Sequence, residues 1–442
     1  MDIGSARLEP ELNRMGQLKF SRLLNIFLIC AVLLTGCAQL SVNAQVVKSD
    51  VPRNASPTVN PEDIEALATG NQAFALDLYQ ALVEKEDGNL FYSPYSISAA
   101  LAMTYAGARG ETEDEMAEVM HFTLPQDRFH PAFNALDLGF TRLGEDIEGD
   151  ERKGFKLSIV NAIWGQKDYD FLPEYLDLLS KNYGAGLRVL DFAADPEKAR
   201  QIINDWVLDQ TEEKIEDLLR EGILDSATRL VLTNAIYFNA KWHLPFSVSD
   251  TRDGAFYLLD GSQVTVPLMA QTASFKYAEG DGYQVVELPY IGDELAMDIF
   301  LPSDGGFESF EDSLTVGRLN EILETLEPTS VFLTMPKFEY ESDFSVGDVL
   351  VGMGMPSAFG DGADFSGMDG TKNLVIGEVV HKAFVAVDEA GTEAAAATAV
   401  IMVESAMMDM VEMRVDSPFL FLIRDFQTDT ILFLGRVVNP EA

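Results

Sequence analysis

Apolar positions recur along the chain at two different spacings, and together they predict helices and strands in alternation. Over 62–83, Ile64, Leu67, Phe74, Ala75, Leu78, Tyr79 and Leu82 fall close to a 3.6-residue period, which predicts an amphipathic helix. The short apolar run over 89–92 predicts a strand. Ser93 then offers an N-cap and Pro94 a first-turn residue for a second helix, which Gly107 and Gly110 end. Strands are predicted over 155–163 (FKLSIVNAI), 229–238 (RLVLTNAIYF), 284–301, 330–338 and 384–387, several of them apolar on both faces, as strands inside a sheet are. Helical text fills 196–220, with Trp206 among its apolar positions. Helices and strands interleave without regular βα units, so the fold class is α+β. No Pro/Gly/Ser-rich linker divides 62–442, which reads as one domain.

The first residues carry a different pattern. Lys19 and Arg22 precede the apolar run 23–34 and then Leu34-Thr35-Gly36-Cys37. The run is shorter than the roughly 20 residues a bilayer crossing needs. It has the charged, apolar and small-residue regions of an export signal. The LTGC end resembles a bacterial lipoprotein box, which implies a signal over 1–36, lipidation of Cys37 and a lipid-anchored, exported protein; a cut after Ala44 would release a secreted one. Residues 37–61, rich in Pro, Asn and Ser, read as a flexible tether.

Composition removes several functions. With 31 basic against 72 acidic residues the formal charge is −41, which repels nucleic acid and anionic lipid alike and leaves membrane contact to the lipid anchor. Both cysteines, Cys30 and Cys37, lie in the leader region, so the body has no disulfide, thiolate metal site or cysteine nucleophile. Its histidines, His121, His130, His243 and His381, form no HExxH pair, and no GxSxG, SxxK or P-loop motif occurs. No metal, cofactor or enzymatic activity is expected. The acidic glycine-rich stretch 360–370 (GDGADFSGMDG) lacks the alternating ligand spacing of a calcium loop and reads as plain surface loop.

The most informative text is DEAGTEAAAATAVIMVESAMMDMVEM over 388–413. Its four successive alanines favour helix, whereas the β-branched run that follows favours strand, so the segment is conformationally ambivalent. As a strand it would carry small or apolar side chains on both faces and fit inside a sheet with little steric obstruction.

Four blocks resemble serpin text: 89–116 (NLFYSPYSISAALAMTYAGARGETEDEM), 233–242 (TNAIYFNAKW), 365–370 with 380–400 (FSGMDG and VHKAFVAVDEAGTEAAAATAV), and 417–440 (SPFLFLIRDFQTDTILFLGRVVNP). The resemblance covers essentially the whole body. It implies a metastable fold of three β-sheets and about nine helices, with an exposed reactive loop that a target serine protease attacks. The cut loop then inserts as a strand and carries the covalently bound protease with it. Residue by residue, Glu389, Gly391, Thr392, Glu393, Ala394, Ala395, Ala396 and Ala397 look like the hinge. Ser93, Ser96, Asn234 and His381 look like the polar cluster beneath the opening sheet, and Trp242 like the tryptophan at the entry point. Each of these five also reads as an ordinary core residue. The reactive bond falls at Ser405-Ala406 counted forward from Gly391, or near Met407-Met408 counted back from Pro418. None of these residues is basic, which disfavours a trypsin-like target and favours elastase-, subtilisin- or chymotrypsin-like enzymes. The expected protein is a monomeric suicide inhibitor. The alternatives are a non-inhibitory binding serpin and an inhibitor of papain-like cysteine proteases.

Overall fold

The computed structural model describes residues 44–143, 156–211, 213–392 and 410–441. In chain order the elements are β1 (Gln45–Val47), α1 (Pro61–Val83), β2 (Leu90–Tyr92), α2 (Pro94–Tyr105), α3 (Gly110–Val119), α4 (Gln126–Leu143), β3 (Lys156–Gln166), α5 (Pro173–Tyr183), β4 (Leu187–Leu190), α6 (Pro196–Gln210) and β5 (Leu230–Lys241). There follow β6 (Arg252–Tyr257), β7 (Gln263–Gly280), β8 (Tyr283–Pro289), β9 (Leu295–Pro302), α7 (Phe307–Asp312), α8 (Val316–Glu324), β10 (Glu327–Pro336), β11 (Phe338–Ser345), α9 (Gly347–Met353), α10 (Ser366–Asp369), β12 (Ile376–Val387), β13 (Gly391–Thr392), β14 (Val411–Arg414), β15 (Phe419–Asp425) and β16 (Ile431–Val437).

The strands form two hydrogen-bonded networks. One is seven-stranded, in the order β1-β4-β3-β5-β13-β12-β11. The other runs β14-β10-β7-β8-β9-β15-β16-β2, with β6 also paired to β7. The eighteen-residue β7 belongs to both halves of this second network, pairing with β6 over 263–268, with β10 over 268–277 and with β8 over 276–280. That shared strand is how three expected sheets appear as two networks. Helix α2 is central: Ser93 caps it by accepting the N–H of Ser96 at 3.1 Å, Pro94 occupies its first turn, and every one of its residues is buried.

Four local expectations are corrected. The text over 284–301 is a hairpin, not one strand, because Gly292 and Asp293 take positive φ between β8 and β9. Helix α6 ends at Gln210, well short of 220. The chain then becomes a strap whose Ile215, Leu218 and Leu219 pack in one cluster with Val231, Ala235 and Val380 of β5 and β12. The stretch 360–370 is no plain surface loop, since Ala363, Phe365 and Met368 are buried and 366–369 is helical.

The fourth concerns the expected tether. Its described part, 44–60, lies fixed along the body. β1 pairs antiparallel with β4, Asn54 N–H donates to the Lys181 carbonyl at 2.9 Å, and Arg53 binds Asn134 (2.8 Å) and Asp137 (2.5 Å) on α4. Pro- and Ser-rich text has no period of its own, but here α4, α5 and β4 satisfy its polar groups.

Candidate functional site: the seam between β5 and β12

The two central strands of the seven-stranded sheet run parallel and side by side. Their register pairs Ile376 with Leu230 through to Ala383 with Ile236. Above that point they separate, and β13 occupies the gap. Gly391 and Thr392 pair antiparallel with Lys241 and Ala240 of β5, while Thr392 also pairs with Val387 of β12. The first residues of the expected hinge are therefore already strand residues inside the sheet.

Local chemistry explains why these two fit. A Cβ on Gly391 would lie 2.1 Å from the Ala240 carbonyl oxygen, so only glycine allows β5 to approach this closely. Thr392 is buried, and its hydroxyl shares a hydrogen bond with that of Tyr290 at 2.7 Å. Burial pushes the Tyr290 hydroxyl pKa up and keeps it neutral. Tyr290 stacks on Trp242 with ring centroids 4.7 Å apart and planes 11° from parallel. Trp242 in turn donates its indole N–H to the Asp388 carbonyl and its backbone N–H to that of Ala390, both at 3.0 Å.

Glu389 holds the turn from the other side. Its backbone carbonyl accepts the Phe246 N–H at 2.8 Å, while its carboxylate accepts the Thr251 hydroxyl at 2.7 Å and pairs with Lys337 at 2.8 Å. Burial raises the Glu389 pKa, but the bonds from Lys337 and Thr251 outweigh it and leave the carboxyl below its usual range.

Below the gap, the closed part of the seam rests on a buried polar cluster. The Ser93 N–H donates to His381 Nε2 at 3.2 Å, and His381 Nδ1 donates to Asn234 Oδ1. Asn234 Nδ2 donates to Ser96 Oγ (2.6 Å) and Asn161 Oδ1 (2.5 Å), and Asn161 Nδ2 reaches the Ser96 carbonyl at 3.1 Å. One network thus ties β3, β5 and β12 to the start of α2. The two bonds of His381 require a neutral imidazole protonated on Nδ1, and burial lowers the His381 pKa to about 3.

The structure brings Ser93, Ser96, Asn234 and His381 together, and it places Trp242, Glu389, Gly391 and Thr392 around one entry point. Cys37, Glu393, Ala394, Ala395, Ala396, Ala397, Ser405, Ala406, Met407 and Met408 lie outside the described residues. Sequence reasoning missed Asn161, although a polar residue in the apolar run FKLSIVNAI was a signal: it sits opposite Asn234, and both strands carry the text NAI. It also missed Tyr290, Thr251 and Lys337, for which no local pattern exists.

Comparison with known proteins gives a consistent result. The family described as "Serpin (serine protease inhibitor)" matches residues 69–440. An uncharacterized serpin-like protein of Thermococcus kodakarensis is 43% identical over 372 residues, 84% of either chain. A leukocyte elastase inhibitor of Sus scrofa is 41% identical over 391 residues, covering 85% of this chain and 100% of the relative. Among solved structures, the thermophilic serpin tengpin in its native state superposes with a TM-score of 0.80 at 26% identity, covering 90% of this chain and all of that one.

Proposed function

The chain belongs to the serpin family, with the serpin fold of mixed helices and sheets, and on that premise we propose that it is a suicide inhibitor of serine proteases rather than a catalyst. Family membership supports protease inhibition in general, and the elastase-inhibitor relatives favour a target that accepts small or apolar side chains. The observation that carries the mechanism is β13. A loop whose first two residues already pair with β5 and β12 has its insertion path laid out ahead of it. Both flanking strands are twelve residues long. An inserted strand of that length spans about 40 Å, at roughly 3.3 Å per residue. Small side chains at Ala394, Ala395, Ala396 and Ala397 suit passage between existing strands.

In this reading the protease cuts near Ser405-Ala406 or Met407-Met408 and is held as an acyl-enzyme while the arm extends β13 down the seam. The closed contacts of β5 with β12 give way to ladder bonds on both sides of the new strand, and the inserted state is the more stable one. The export reading belongs to the same proposal: Cys37 as a lipidated N-terminus would hold a monomeric inhibitor at the cell envelope, which mass spectrometry of the mature N-terminus tests. Incubation with an elastase or subtilisin should give a complex that survives boiling in detergent. Loop cleavage without an adduct would instead favour the non-inhibitory binding role.

A further inference from the structure

Asp388 is the last residue before the hinge, and its polar groups converge on one turn. Its carboxylate oxygen Oδ1 accepts the N–H of Ala390 at 2.8 Å and that of Gly391 at 3.2 Å. Its own N–H donates to the Gly391 carbonyl at 2.9 Å, closing the turn across residues 388–391. Its carbonyl receives the Trp242 indole at 3.0 Å. The turn reverses the chain after β12, and without reversal Gly391 and Thr392 could not run antiparallel between β12 and β5. Aspartate is well suited to this task, since its short side chain accepts from N–H groups two and three residues ahead.

We propose that the Asp388 carboxylate is a positioning residue: it acts through Gly391 and Thr392 to keep the hinge engaged in the sheet before cleavage, and so decides how often a cut arm inserts instead of being released. The proposal rests on the inhibitory reading above. After acylation, insertion competes with hydrolysis of the acyl-enzyme. An arm that must first order its leading residues loses backbone entropy before any ladder bond repays it. An arm anchored at Gly391 and Thr392 starts from existing strand pairs and adds one residue at a time. The carboxylate thus shortens the slowest part of the race without touching the protease.

The test compares the full chain with Asp388→Ala and Asp388→Asn. Asparagine keeps an Oδ1 acceptor at the same reach, and alanine removes it. Amide hydrogen exchange at Ala390, Gly391 and Thr392 should accelerate about tenfold in Asp388→Ala, the scale of one hydrogen bond to the Oδ1 acceptor. The number of inhibitor molecules consumed per subtilisin trapped should rise about twofold or more in the same variant. Asp388→Asn should stay near the unaltered chain in both. Should the alanine variant fail to fold, Asp388→Gln, whose amide is one methylene too far out to close the turn, takes its place. A lowered melting temperature with unchanged exchange and unchanged stoichiometry would show a merely structural residue and overturn the proposal. Were the unaltered chain cleaved but never trapped, the inhibitory reading would fail by itself. Exchange alone would then decide whether Asp388 holds the hinge, with acceleration in alanine and not in asparagine supporting it and no change refuting it.

Discussion

The two ends of one seam differ more than their shared strands suggest. In its closed part β5 and β12 are hydrogen-bonded directly and fastened on both faces. The His381 cluster ties them to α2 on one side. On the other, the strap after α6 lies across them, with Lys382 Nζ donating to the Glu216 carbonyl at 3.0 Å and Arg220 paired with Asp343 of β11 at 2.5 Å. In its open part the same strands are held apart by two residues, and the turn before them is held from the rim by Trp242, Phe246, Thr251 and Lys337, with one hydroxyl bond to Tyr290 beneath. The difference shows how one sheet can both persist and yield. The closed half sets the barrier, and the wedge sets the place where the barrier is attacked.

The comparison breaks most completely if the wedge is made impassable. Thr392→Arg puts a long cation where a buried hydroxyl meets Tyr290. Burying an unpaired charge costs several kcal/mol. The variant should be cleaved as a substrate with essentially no covalent complex, as denaturing electrophoresis after subtilisin treatment would show. Undiminished trapping would mean the wedge is not the entry point.

Loosening the closed half should act next most strongly. His381→Ala takes the imidazole partner from the Ser93 N–H and the Asn234 side-chain Oδ1 and opens a cavity, a loss of about 3 kcal/mol. It should appear as a lower thermal midpoint at fixed scan rate, the proper observable for a chain whose native state is kinetically held. The pH dependence has a definite sign. His381 and His130, both lowered to about 3 by burial, bind fewer protons folded than unfolded, so stability falls as pH drops from about 6.5 toward 3. Each contributes roughly 1.4 kcal/mol per pH unit in that window. Asp298, which burial lifts to about 7, works in the opposite sense, so the informative quantity is the difference between the unaltered chain and His381→Gln. That difference should shrink as pH falls. An equal acid slope in both would mean that His381 is not the neutral acceptor the geometry requires.

These residues were unequally legible in the sequence. Gly391 and Thr392 belong to a contiguous segment whose small side chains speak for themselves, and Ser93 announces its cap through the proline that follows. Asn161 and Asn234 were half legible, as polar interruptions in apolar strands, but only the register places them opposite each other. The strap after α6 was not legible. Its apolar residues continue the helical spacing of 196–210, and tertiary packing on β5 and β12 overrides that propensity. Lys337 and Thr251 were invisible for a different reason: they reach Glu389 across 52 and 138 residues of sequence, and no periodicity encodes such a pair.

The smallest expected effect sharpens the comparison rather than breaking it. Lys337→Ala removes one of the two side-chain donors to the Glu389 carboxylate and leaves Thr251 in place. Lys337 is 37% exposed, so solvent already screens the pair and its loss should lower stability by only about 1 kcal/mol. The sign with pH follows from the depressed Glu389 pKa. The contribution is present above the ordinary glutamate range and disappears as pH falls through the lower folded value. Melting curves of the two proteins should therefore differ at pH 7 and converge in acid. A difference that instead persisted unchanged at low pH would assign the role of Lys337 to its aliphatic stem packing beside the turn, and the open half of the seam would then be held by Thr251, Tyr290 and the Asp388 turn alone.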